Sequence, residues 1–171
     1  LRQLWEGGTT PDGKYARLIL TARAAARVRP GDGKDEADRI VASMLSAGMD
    51  RTAMRWRDTV AQGSDGWAML VLADPDSHAP VSYGQVSGYA SARKQQLFFA
   101  GLAGLGRLSP ADVERGAQAL DVRIGTDNIW TRALDRATRD RQPATVLLLA
   151  AIGMQTSSWH GVPPDMLYRI V

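Results

Sequence analysis

The chain contains no cysteine, which removes disulfides and thiolate metal ligation from its chemistry. A cysteine-free chain suits cytoplasm and periplasm equally, so the location stays open. Aromatic residues make up 6% of the 171 positions, too few for a core of large rings. Alanine stretches such as Ala24-Ala25-Ala26 point instead to tight helix packing. No apolar run reaches the roughly 20 residues that span a bilayer. The longest, Val146 to Ile152, is expected to be one buried helix. Lysine is almost missing: of 21 basic residues, only Lys14, Lys34 and Lys94 are not arginine. Arginine's planar fork suits phosphate recognition, but GC-rich coding produces the same usage. With 18 acidic residues interspersed and a net charge of +3, a solvated mixed surface is the simpler reading. The apolar share of 44% is that of an ordinary globular domain.

What is present is a faint copy of the chain within itself, offset by 77 residues. Gly48, Asp50, Arg55 and Asp58 recur as Gly125, Asp127, Arg132 and Asp135, and Leu70, Leu72 and Ala73 recur as Leu147, Leu149 and Ala150. Ungapped self-similarity at a fixed period is the mark of repeat architectures, whose units stack because none buries its apolar face alone.

Helical periodicity fills both copies, and no stretch sustains the alternation of a strand. Pro11-Asp12-Gly13 opens a helix to about Val28, with Tyr15, Leu18, Ile19, Ala22 and Ala26 on one face. Lys34 to Ala47 follows, with Ile40, Val41, Met44 and Leu45 inward and Gly48 as its stop. Asp50 is expected to cap a third helix to about Gln62 bearing Ala53, Trp56 and Val60, and Trp67 to Ala73 forms a fourth. In the second copy, Tyr83 to Ala92 and Lys94 to Leu105 read as helices, the latter carrying Leu97, Phe98, Leu102 and Leu105. Ser109-Pro110 starts the next, which is expected to stop at Gly125. Asp127 is then expected to cap a helix through Asp140, and Ala144 to Ile152 follows Pro143. The predicted fold class is all-α, with antiparallel helix pairs stacked as a superhelix. Its units are 11–73 and 88–150, joined by a connector at 74–87, and a third unit begins at 163–171. Opening on Leu1 and closing inside an expected helix, the chain reads as a fragment of a longer protein.

Units of this length, each an α-hairpin of about half the 77-residue period, resemble the tetratricopeptide and HEAT-like solenoid class, including bacterial helical-repeat proteins. The tetratricopeptide series of Trp, Leu-Gly, Tyr, Ala, Phe and Pro at fixed offsets is present in no window. The resemblance is therefore to the class and transfers no functional residue.

Chemistry-bearing motifs are few. His78 and His160 each stand alone in Pro-, Gly- and Ser-rich connectors, without partners at metal-ligand spacing. Gly101-Leu102-Ala103-Gly104-Leu105-Gly106 looks like a nucleotide loop but lacks the preceding strand that such a fingerprint requires. Asp35-Glu36 and Asp74/Asp76 lie at helix starts and turns, where capping accounts for them. No catalytic residue, cofactor or metal site is expected. The remaining candidates are Arg51, Arg55, Arg132 and Arg136, lined along repeat-related helices as a partner-binding row. Trp56 and Trp130 are expected between helices, Trp67 inward, and Trp5 and Trp159 in connectors at the ends. The expected function is a non-enzymatic scaffold for a protein or peptide. Alternatives are an accessory helical domain of a larger enzyme and an Arg-lined nucleic-acid-binding repeat, in which nucleic acid replaces the protein partner.

Overall fold

A computed structural model describes residues 1–74, 80–89, 91–125, 127–155, 167, 168 and 170. The protein is all-α, with about ten helices and no strand among the described residues. None of those helices is long and apolar enough to cross a membrane. The chain forms two compact units, Leu1–His78 with Gly88–Ala90 and Ala79–Ser87 with Ser91–Val171.

The first unit holds α1 (Arg2–Glu6), α2 (Pro11–Ala25), α3 (Ala37–Ser46), α4 (Asp50–Ala53) and α5 (Asp65–Ala73). Thr10 Oγ1 caps α2 by accepting the Gly13 N–H at 3.1 Å, with Pro11 as its first residue. The central element is α3, which packs on α2 and α5 and buries Ile40, Val41 and Met44. Each such side chain contributes about 1.5–3 kcal/mol on leaving water. Ala53, Trp56, Val60 and Leu70 complete the core. Trp56 is fully buried, and its indole Nε1 finds no acceptor. That orphan costs about 1–3 kcal/mol. An indole that buries about 200 Å² outweighs it at roughly 25 cal/mol per Å².

Two expectations for this unit need correction. The third helix does not run to Gln62: α4 stops at Ala53 and a 3-10 turn, Met54–Trp56, follows. Ala53, Trp56 and Val60 are nevertheless all buried, the first two because three-residue spacing faces one way in both helix types. On α2 the inward face is Thr21, Ala22 and Ala25, while Tyr15 and Ile19 remain 44% and 42% exposed. A buried hydroxyl network sets this rotation. Trp5 Nε1 donates to Thr21 Oγ1 at 2.8 Å, Thr21 and Ser43 hydroxyls meet at 3.0 Å, and Ser43 Oγ donates to Leu18 O at 2.6 Å. Trp5 is therefore a buried anchor on α1 rather than part of a connector.

The second unit holds α6 (Tyr83–Ser87), α7 (Ala92–Gly104), α8 (Pro110–Leu120), α9 (Ile129–Arg139) and α10 (Pro143–Gln155). Phe98, Phe99 and Leu102 of α7 are buried, whereas Leu105 is 43% exposed. Gly116 of α8 lies against Phe99 so closely that a Cβ there would overlap the ring. Ser109 Oγ caps α8 as expected, accepting the Asp112 N–H at 3.1 Å. This helix ends at Leu120 on a left-handed Asp121, short of Gly125. The next cap is Asn128 rather than Asp127. Asn128 Oδ1 accepts the Thr131 N–H at 3.0 Å, and Thr131 Oγ1 accepts the Asn128 N–H at 2.8 Å, a reciprocal capping box. Asp50 likewise caps nothing, since it is already the first residue of α4.

The helices of the two copies follow in the same order but differ in length. Four-residue α4 stands where the second copy has the eleven-residue α9. Gly48 and Gly125 share a left-handed backbone, at φ 68° and 85°, the conformation that explains why both positions carry glycine. The structure identifies no repeat and no solenoid. Trp159, both histidines and most of 163–171 lie outside the described residues.

Candidate functional site

The arginines singled out by the sequence fall into two pairs, one in each unit. Arg51 and Arg55 are exposed, and the Arg55 guanidinium ties the turn after α4 to α2. Its NH2 donates to Ala26 O at 2.9 Å and its Nε to Thr52 O at 3.3 Å. Arg132 and Arg136 are exposed one turn apart on α9, and Arg132 lies 3.4 Å from the Asp127 carboxylate. With both partners of that pair more than half exposed, it contributes little to stability.

In the first unit, a cleft of about 650 Å³ opens beside the N-termini of α3 and α5. Lys34 and Arg39 face Asp35, Asp38 and Asp65 across it. The acids have partners of their own: Asp38 accepts from Ser64 Oγ at 2.7 Å, and Asp65 accepts from Tyr89 Oη at 2.8 Å. Both also sit in the first turn of a helix, where the macrodipole favours negative charge. Burial, with the hydrogen bond to Asp65 and that carboxylate's charge, pushes the Tyr89 phenol well above the ordinary tyrosine range. Glu36 is paired with Arg2, which raises the Arg2 guanidinium further. Three of the cleft's acids thus have local partners, Glu36 in Arg2, Asp38 in Ser64 and Asp65 in Tyr89, and no group of three potential metal ligands occurs among the described residues.

The second unit carries the feature that the sequence reading placed wrongly. The segment expected to be buried forms α10, yet Leu147 is 71% and Leu148 60% exposed. The helix is apolar around its whole circumference, so one face alone cannot satisfy it. Val146, Leu149, Ala150 and Gly153 form the more buried side, which packs on α9. There Trp130, half-buried rather than fully enclosed, donates its Nε1–H to Leu149 O at 2.9 Å. On the other side Ala144, Leu147 and Leu148 stand in solvent at helical spacing, with Ala151 partly exposed beside them. No charged side chain occurs between Pro143 and Gln155. A shallow groove lined by Ala137, Arg141, Val146 and Leu147 continues this face around the end of the hairpin.

Another exposed apolar surface, on α2, differs in kind. Tyr15, Ile19 and Leu20 are interleaved there with Lys14, Arg17 and Arg23, as on any solvated helix face. Hydrophobicity alone did not separate a buried α10 from an exposed one.

Comparison with protein-family models, with curated proteins and with solved structures finds no match.

Proposed function

We propose that this chain is a non-enzymatic helical-repeat scaffold that mediates protein or peptide binding, and that α10 supplies the docking face in its second unit. The observation that carries this reading is the exposure of Leu147 and Leu148 on a helix without a single charge. Contiguous apolar surface of that kind costs solubility and marks interaction sites more often than it decorates a monomer. A stripe at intervals of three and four residues fits the apolar face of another helix. Arg132 and Arg136, exposed on the adjoining α9, form a cationic rim suited to acidic residues on the same partner.

The test is affinity isolation of the tagged chain from its native cells, beside a variant carrying Leu147→Glu and Leu148→Glu. Both positions face solvent, so the variant keeps its helical circular dichroism and melting point while losing the associated protein. Equal recovery of the same protein by both forms would refute α10 as the docking face. Reversing the charge of Arg132 and Arg136 is expected to weaken the same association about tenfold at low salt, and less as salt screens the rim.

A further inference from the structure

Resting on that reading of α10 as a docking face, we infer that its occupant is a second copy of this chain, bound through an antiparallel α10–α10 contact about a two-fold axis. The hairpin of α9 and α10 supplies the first argument. Trp130 near the start of α9 reaches Leu149 at the middle of α10, and only residues 140–142 join the helices, so they run antiparallel. Its inner seam is closed by Thr131, Leu134 and Ala137, all buried. Two antiparallel helices with an apolar outer face are half of a four-helix bundle, completed by an identical half.

Charge supplies the second argument. In a two-fold contact each patch meets itself, so any charge on it would oppose its own copy. Between Pro143 and Gln155 there is none. The cation at the boundary falls favourably, since Arg141, two residues before α10, would lie toward the carbonyl end of the partner's helix.

The stripe supplies the register. Ala144 and Leu148 are one turn apart, and Leu148 lies near the midpoint of a 13-residue helix about 20 Å long. Leu148 therefore meets Leu148 of the other copy, while the two copies of Ala144 are separated along the axis by about 12 Å. A single helix stripe falls short of the roughly 800 Å² per partner of a standard stable interface. The dimer is accordingly concentration-dependent.

The cysteine-free sequence makes the test direct. Sedimentation of the whole chain from about 1 μM to 1 mM should show its mass rising toward twice the monomer. Leu148→Arg should weaken that association at least tenfold, and Leu20→Arg, at an even more exposed site on α2, should leave it unchanged. On mild oxidation Leu148→Cys should form a disulfide-linked dimer, while Ala144→Cys should not, because its sulfurs cannot approach across the axis. A monomer throughout the range would overturn the proposal. So would an oligomer indifferent to Leu148→Arg, or efficient cross-linking through Ala144→Cys. A monomer whose α10 binds vesicles of anionic phospholipid would overturn it in favour of a membrane surface. If the chain stays monomeric yet loses a co-isolated foreign protein on the Leu147→Glu/Leu148→Glu change, self-association fails while the docking-face reading survives.

Discussion

Leu70 on α5 and Leu147 on α10 occupy matching places in the 77-residue echo, each in an apolar helix that closes its copy. Leu70 is 3% exposed and Leu147 is 71% exposed. In the first unit α3 lies against α5, and Ile40, Met44 and Trp56 belong to the same core as Leu70. In the second unit α10 packs on α9 by one side alone, and its other side faces solvent. Two apolar helices that share Leu70/Leu147, Leu72/Leu149 and Ala73/Ala150 at this offset thus differ in burial. The difference locates the candidate interface: Leu147 and Leu148 carry the hydrophobicity of a core helix at exposed positions.

The comparison breaks most clearly on truncation. Leu70→Ala should cost about 2–4 kcal/mol, a transfer loss plus a cavity. Leu147→Ala should stay within about 0.5 kcal/mol for the chain at dilutions where it is monomeric. Urea titration of both variants checks this, and equal losses would mean that the two helices are equally buried.

A second experiment asks whether the second unit is merely loose. Gly116→Ala places a methyl group into the Phe99 ring, and overpacking should cost about 1–3 kcal/mol despite the gain in helix propensity. A stabilised variant would show that α7 and α8 yield easily and that exposure of α10 reflects poor packing throughout. Caps give a smaller contrast. Asn128→Ala should cost about 1 kcal/mol by removing the capping box, while Asp50→Ala, where no side-chain cap exists, should cost less than half as much. Thermal melts in the reverse order would place the helix starts elsewhere.

The smallest expected effect belongs to the first unit alone. Tyr89 has its titration raised in the folded state, first by burial and then by Asp65. A raised value means that its contribution is complete below the unfolded tyrosine value of about 10. It is then lost as pH rises toward the folded value. Stability measured from pH 8 to 11.5 should therefore fall more steeply for the native chain than for Tyr89→Phe. Parallel curves would remove the coupling between Tyr89 and Asp65.

Much of the helical layout was legible in the residues. Pro11 and Pro110 mark true helix starts, and Ile40, Val41 and Met44 are spaced as a buried stripe must be. Gly48 and Gly125 report backbone conformations that only glycine adopts cheaply. The errors share one cause. Asp127 and Asn128 are both good caps, and the choice between them depends on Thr131 closing the box from inside the helix. The rotation of α2 depends on Thr21 meeting Trp5 and Ser43, which are distant in sequence.

The candidate surface follows the same division. Local sequence determined that Pro143 to Gln155 forms an apolar helix, because helix propensity, proline at the first position and the absence of charge act within a few residues. Whether that helix is covered was decided by tertiary structure alone. Burial is a property of what lies opposite, and what lies opposite α5 is α3, drawn from another part of the chain. On α10, Leu147 and Leu148 stay 71% and 60% exposed, an outcome set by what the rest of the fold brings opposite them rather than by the helix's own pattern.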